Sequence, residues 1–254
     1  MAQTDGAASA ARQAREALAS LLEDAPALAA RLPTGYFDRV ERFVALLLGA
    51  NARINLTRVV APADVARLHL LDALAALPTL DDAGPGPIVD LGSGGGVPAL
   101  PLALAQPKRE WTLVDSVAKK AAVLREMADA LGLRRVTVLA ERAETLGRDP
   151  RHREQYAVAT ARACASLPVL AELALPLLAV GGTLLAWKGP LREDDDEVRR
   201  GQAAVSELGG AQLRIHDTGV PALGGHRFVT VIKTRPTADR YPRRAGEPAR
   251  RPLG

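Results

Sequence analysis

The chain of 254 residues is 48% hydrophobic and 24% charged, enough for one compact core carrying an appendage. With three Phe, three Tyr and two Trp that core is mainly aliphatic, and the single cysteine, Cys164, excludes an internal disulfide or a multi-cysteine metal site. No apolar run reaches the roughly 18–20 residues of a membrane span and residues 1–10 lack a secretory pattern, so a cytoplasmic location without membrane contact is expected.

Residues 1 to about 12 are small and polar and are expected to fray. Apolar positions then recur at helical spacing from Ala14 to Leu32 and from Tyr36 to Leu48, which predicts two amphipathic helices. The stretch 51–57 reads as a link in which the Asn55 amide fixes a turn, and Asp64 as the cap of a third helix over Val65–Leu77. A turn-rich boundary follows at 81–87. Beyond it strands near 88–91, 111–114, 136–140, 157–161 and 183–187 alternate with helices near 98–105, 117–131 and 165–179. That alternation predicts a mainly parallel sheet with helices on both faces. Late strands near 211–217 and 227–233 would add an antiparallel edge, and the acidic run 192–197 a solvated helix start. The resulting division is a helical region over 1–84, an α/β domain over 85–234 and a basic tail over 235–254.

The net charge of +4 is uneven: residues 233–254 hold seven Lys or Arg against Asp239 and Glu247, so a near-neutral body carries a basic tail. Its Arg240, Arg243 and Arg244 lie on an extended, proline-rich segment suited to phosphates; a merely solvated terminus is the alternative.

The most informative run is 87–98. A short apolar strand ends in Asp90 and passes into a loop with glycine at 92, 94 and 96, after which Pro98 opens a helix. Such glycines let the backbone approach a ligand, and the free N–H groups of the helix start face it too. A dinucleotide fingerprint would need glycine at 97, where Val97 stands, and no Gly-Lys-Ser/Thr follows to make a P-loop. The acid two places before the first glycine instead resembles the motif of class I S-adenosylmethionine-dependent methyltransferases. The fold class expected is therefore an α/β, Rossmann-like sheet with an N-terminal helical appendage. Asp90, Gly92, Ser93, Gly94 and Val97 are the candidate cofactor contacts of the loop. Asp115 ends the next strand, 23 residues beyond Gly92, where an acid can accept both ribose hydroxyls of an adenosine or cap the following helix.

Other residues carry two readings each. Arg162, at the carboxyl end of a strand, is a site residue or a surface ion-pair partner. Lys188 meets RNA phosphate or marks a strand exit. Cys164 is a small buried hydrophobe before it is a nucleophile. His69 and Asp72, three apart on a helix face, are close enough to bond, and His226 has no evident partner.

Asn55-Leu56-Thr57, His69-Leu70-Leu71-Asp72, the loop 90–98, Leu113-Val114-Asp115-Ser116, Arg142-Ala143-Glu144, Arg162-Ala163, Lys188-Gly189 and Tyr241-Pro242-Arg243-Arg244 occur in one order. From about Tyr36 onward this set resembles the bacterial small-subunit ribosomal RNA guanine-N7 methyltransferases, also known as glucose-inhibited division protein B. The resemblance implies methyl transfer from S-adenosylmethionine to N7 of a guanine in the 530 loop of 16S rRNA, on free RNA or on the small ribosomal subunit, by a monomer. It implies cofactor contacts at Gly92, Val97, Ala143, Glu144 and Arg162, with the pair 143–144 near the adenine. Two positions depart from the family: Ala99 stands where glycine is usual, and Ala73 where a serine follows Asp72.

Guanine N7 offers an in-plane lone pair, so the reaction needs alignment rather than a general base. No catalytic base is assigned, and Arg162 and Lys188 are candidates for aligning the substrate. RNA contacts are expected from Lys188, Arg240, Arg243 and Arg244, with Arg53 and Arg58 as further candidates; no metal is expected. A methyltransferase with a non-RNA acceptor, a nucleotide-dependent oxidoreductase and a non-catalytic RNA-binding factor remain as alternatives, and fold alone decides among none of them.

Overall fold

The computed structural model describes the backbone of residues 2–254 and the side chains of residues 6–254. The first helix, α1, runs Ala2–Glu23, so the start is helical rather than frayed. Ala11, Ala14, Leu18 and Leu22 recur every three or four residues and are buried, which gives this segment a core-facing stripe. The helix stops before Pro26, and a separate turn Pro26–Ala29 replaces the rest of the expected helix. Helix α2 spans Tyr36–Asn51. The turn after it is fixed by Asn51 rather than Asn55: Asn51 Oδ1 accepts from the Leu56 and Thr57 N–H groups at 2.8 and 2.9 Å.

The third helical stretch begins at Pro62, and its middle, Val65–Leu71, is widened into a π-helix before a last turn Asp72–Leu74. Asp64 lies inside this stretch and caps nothing. Widened turns of this kind re-aim side chains, and here His69 and Asp72 are both buried.

Seven strands follow: β1 Ile88–Leu91, β2 Trp111–Val114, β3 Val136–Leu139, β4 Tyr156–Arg162, β5 Leu178–Lys188, β6 Arg214–Asp217 and β7 Arg227–Ile232. Their order in the sheet is β3-β2-β1-β4-β5-β7-β6. The first five are parallel, and β7 joins β5 antiparallel, as the late apolar runs suggested. Between them lie α3 Ala99–Ala105, α4 Ala118–Ala130, α5 Leu167–Ala174 and α6 Asp196–Leu208. Helix α5 is shorter than the 165–179 expected, because Pro176 cannot extend it and the chain enters β5 at Leu178.

Alternate strand residues serve two cores, as the pleat requires. Ile88, Trp111, Leu113, Val158 and Leu185 pack with α1, α2, α3 and α4, while Val89, Leu91, Val114, Ala159 and Leu184 pack with α5 and α6. The N-terminal helices thus share a core with one face of the sheet. The tail packs onto the domain at some positions and is exposed at others: Tyr241 is 5% exposed and belongs to the second core, while Arg240 and Arg244 are exposed. Among the described residues no helix is long and apolar enough to cross a membrane.

Candidate functional site

The strand order reverses between β1 and β4, and ligands of open α/β sheets bind beyond the carboxyl ends of the strands at such a point. Asp90 of β1 stands opposite Thr160 of β4 in the register, and Thr160 Oγ1 donates to Asp90 Oδ1 at 2.7 Å. Ser93 Oγ donates to the Asp90 carbonyl at 3.0 Å and closes the turn. Asp90 Oδ2 is buried without any hydrogen-bond partner. Burial, outweighing the bonds from Ser93 and Thr160, pushes this carboxyl up to about 6.

The loop that follows rises over this carboxylate. Gly96 sits at φ +84°, and a Cβ there would meet Leu100 Cδ1 at 2.5 Å, so the loop is packed down onto α3 only because the residue is glycine. A Cβ at Gly94 would meet nothing nearer than 3.7 Å, which leaves an open cradle above it. The helix starts at Ala99, one residue later than Pro98 suggested.

Asp115 ties the loop to the next element. Its Oδ2 accepts from Gly94 N at 2.9 Å and its Oδ1 from Val117 N at 2.8 Å. The N-cap of α4 is Val117 rather than Asp115, which closes the turn just ahead of the helix. Each carboxylate oxygen keeps a further lone pair for a hydroxyl.

A cleft of about 330 Å³ opens above the loop, lined by Gly92, Gly94, Val97, Thr57, Lys120 and Arg162 among others. A second cavity of about 240 Å³ lies across Arg162, bounded by Asp72, Cys164, Trp187, Lys188 and His226. Arg162 lines both. Its Nη1 is 3.1 Å from Asp72 Oδ2 but off the hydrogen-bonding direction, so it keeps an unspent donor. Its Nη2 lies 3.3 Å from His69 Nδ1. The other Asp72 oxygen accepts from His226 Nδ1 at 2.8 Å, and the Trp187 indole N–H donates to the Asp72 carbonyl at 2.9 Å.

Burial, aided by the Arg162 charge, lowers His69 to about 4. The ring is thus neutral near pH 7, with Nδ1 turned to a cation and Nε2 2.8 Å from Thr57 Oγ1. Nδ1 also lies 3.2 Å from the Leu68 carbonyl, so the ring is held on both nitrogens. His69 and Asp72 are bridged by Arg162 rather than bonded to each other. The partner of His226, absent from the sequence reading, is Asp72. These five residues come from three distant stretches of chain, so no local spacing shows their meeting; the ordered motif set holds Thr57, His69, Asp72 and Arg162 but not His226.

Cys164 is exposed rather than a buried hydrophobe, although its Sγ turns inward, 3.0 Å from where a Gly92 Cβ would stand. The burial of that sulfur, with Asp90, Asp115 and Glu144 nearby, pushes the thiol up to about 11. It is therefore protonated at neutral pH and unsuited to nucleophilic attack. Next to it Ala163 holds a left-handed φ of +51°.

Lys188 and the tail are placed otherwise than the sequence suggested. Lys188 Nζ donates to Glu197 Oε1 at 2.6 Å and to the Ala165 carbonyl at 3.0 Å, which fastens the loop after β4 to α6. Arg243 grips Glu172, which is 0% exposed, through Nε at 2.9 Å and Nη2 at 2.5 Å. Arg240 pairs with Glu207 at the surface, and Arg244 is exposed. By contrast Arg53, Arg58, Lys119, Lys120 and Arg142 make no side-chain hydrogen bond to the described residues. Arg58 and Lys120 line the cleft itself. Ala143 and Glu144 open the helical turn Ala143–Leu146 after β3, with Glu144 buried.

The family model for rRNA small subunit methyltransferase G matches residues 37–222. The chain belongs to that family. A ribosomal RNA small subunit methyltransferase G of Roseiflexus sp. (strain RS-1) is 44% identical over 233 residues, covering 92% of this chain and 98% of that protein. The protein of the same name from Deinococcus deserti is 45% identical over 217 residues, covering 85% of this chain and 88% of its own. Among solved structures, the CMeT domain of the citrinin polyketide synthase superposes with a TM-score of 0.53 at 15% identity, over 86% of this chain and 69% of that one. That likeness, with the strand order, shows the class I methyltransferase fold.

Proposed function

We propose that this protein transfers a methyl group from S-adenosylmethionine to N7 of a guanine in the 530 loop of 16S rRNA. The observation that carries the cofactor reading is the buried Asp90 carboxylate, whose Oδ2 has no partner beneath an open glycine cradle. A cationic amino group suits that oxygen better than any neutral ligand. The cleft of about 330 Å³ falls within the range of roughly 300–1,000 Å³ usual for small-molecule sites. Bound there, S-adenosylmethionine supplies a sulfonium methyl electrophile.

The chain's own residues would then do the following. Asp90 neutralises the amino group, and Gly92, Ser93, Gly94 and Val97 shape the floor. Asp115 accepts from the ribose hydroxyls with the lone pairs it does not spend on Gly94 and Val117. Ala143 and Glu144 border the adenine. Arg162, held by Asp72 and His69, offers its unspent Nη1 donor to an acceptor atom on the wall between the two cavities. The base needs no proton removed, so alignment and fixed charge account for the rate. This agrees with a neutral His69 and a protonated Cys164, neither of which is poised as a base or nucleophile.

RNA contact belongs to the cations with no internal partner: Arg53, Arg58, Lys119, Lys120 and Arg142, with Arg240 and Arg244 at the tail's surface. Of the three segments, 85–234 carries the chemistry and 1–84 supplies Thr57, His69 and Asp72. The protein would act as a monomer on the small ribosomal subunit in the cytoplasm. The test is incubation with labelled S-adenosylmethionine and small subunits lacking native modification, then digestion and mass spectrometry of the nucleosides. New 7-methylguanosine at one site is expected; cofactor binding without transfer to any ribosomal substrate would overturn the acceptor reading.

A further inference from the structure

The hydrogen bonds of the tail converge on the stretch that begins at the turn Ala143–Leu146, beyond the carboxyl end of β3. Gly246 N donates to Glu144 Oε1 at 2.7 Å, across 102 residues of sequence. Gly246 holds φ +79°, a conformation that a side chain would strain, so the N–H reaches Glu144 from a position suited to glycine. Pro242 lies against Gly147 so closely that a Cβ there would come within 2.9 Å of Pro242 Cγ. Arg148 Nε donates to the Pro242 carbonyl at 2.7 Å, and Arg153 donates to the carbonyls of Tyr241 at 2.7 Å and Thr237 at 2.6 Å. Arg243 anchors the whole segment on Glu172 of α5 through its side chain and through its own N–H at 2.8 Å. Apart from the anchor on Glu172, these fastenings land on residues 144–153, with the Thr237 N–H on Glu154 next to them.

That turn follows β3, whose end lies beside the end of β2 that carries Asp115. The Asp115 N–H donates to the carbonyl of Leu139, the last residue of β3, at 3.2 Å. Glu144, Asp115 and Asp90 all stand close enough to act on the Cys164 thiol. The Gly246 N–H engages one oxygen of Glu144 and so fixes the carboxylate and the turn that carries it. The position of residues 143–144 is thereby set from behind.

We propose that residues 237–246 are a positioning element of the cofactor site, holding the adenosine-side wall in place through Glu144 and Gly147, with Arg243 as its anchor. The proposal rests on the S-adenosylmethionine reading above, and it assigns Arg243 to the cofactor site rather than to RNA. Arg243, Arg148 and Arg153 are positioning residues; none of them touches the reacting atoms.

The test is calorimetric titration of the full chain and its variants with S-adenosylmethionine and with 5′-methylthioadenosine, which lacks the amino-acid end. Arg243→Ala should raise both dissociation constants about tenfold and by the same factor, because the wall it holds meets only the adenosine. Arg243→Lys, which keeps one contact to Glu172, should recover part of the loss. The turnover number at saturating cofactor and the capture of ribosomal RNA on filters should stay within about twofold of wild type. Unchanged cofactor affinity in a folded Arg243→Ala protein, with RNA capture reduced instead, would overturn the proposal. Should that variant fail to fold, Arg148→Ala decides, since its side chain reaches the same segment from the surface: about threefold weaker binding is expected, and none overturns it. A wild-type chain that binds neither probe would overturn the cofactor reading itself, an outcome distinct from the others.

Discussion

Two buried groups in this site titrate in opposite senses. Asp90 is held at about 6, chiefly by burial, so in the folded state it keeps a proton that the unfolded chain has lost. Stability from this group is greatest below the unfolded carboxylate value and falls as pH rises through roughly 4 to 6, by about 3 kcal/mol in all. His69 is lowered to about 4 by burial and by Arg162, so here it is the unfolded chain that binds the extra proton, and stability rises with pH between roughly 4 and 6.5 by a similar amount. The two nearly cancel in the wild type. In urea titrations at several pH values, Asp90→Asn should therefore gain stability relative to wild type as pH rises, and His69→Asn should lose it. Variants that track the wild-type profile would show that these environments are more hydrated than their burial implies. Asp90→Asn should also bind S-adenosylmethionine at least about tenfold more weakly, as loss of a charged hydrogen-bond partner costs roughly 1.5–3 kcal/mol. Calorimetry above pH 6.5 measures this directly, and the wild-type affinity itself should fall as pH drops through about 6.

At the scale of elements, the glycine loop and the end of β7 are where single changes should cost most. Gly96→Ala forces a side chain into a left-handed backbone and onto Leu100, and should destabilise by about 2–4 kcal/mol in chemical denaturation. Lys233 buries its Nζ on Glu154 and the carbonyls of Leu175 and Leu178. Lys233→Met removes the ammonium from Glu154 and from the Leu178 carbonyl, while the Leu175 carbonyl keeps the Leu178 N–H, and should cost about 1–3 kcal/mol, with cofactor affinity unchanged in the folded fraction. What the sequence made legible follows the same division. The strands, the loop with Asp90 and Asp115, and the sheet class rest on contiguous patterns, and the structure keeps them. The first helix was read from Ala14 onward and only its opening turns were taken as frayed, because the small residues there hide the stripe that Ala11 continues. The partners of His226, Lys188 and Arg243 could not be read, since Asp72, Glu197 and Glu172 meet them only once the sheet has formed. Local composition gives a cation's sign and not its acceptor.

For the molecule as a whole, the charge that matters to RNA is the part left over after internal pairing. Arg58 and Lys120 line the cleft, and the double variant Arg58→Glu, Lys120→Glu should weaken RNA capture. It should also flatten the dependence of log affinity on log salt by about 1.4–1.8 in slope, the effect of two lost phosphate contacts. A parallel downward shift with the slope intact would place both side chains away from phosphate. The same accounting explains why a basic tail need not be a nucleic-acid arm: its guanidinium groups already have carboxylates and carbonyls to hold. There is also a consequence for synthesis. Residues 237–246 follow every strand of the sheet in chain order, so a growing polypeptide contains the glycine loop, Asp115 and Arg162 well before it contains the segment that braces Glu144. A nascent chain can thus fold its sheet first, as domains commonly do during translation, while the turn Ala143–Leu146 stays unbraced until residue 246 has been added.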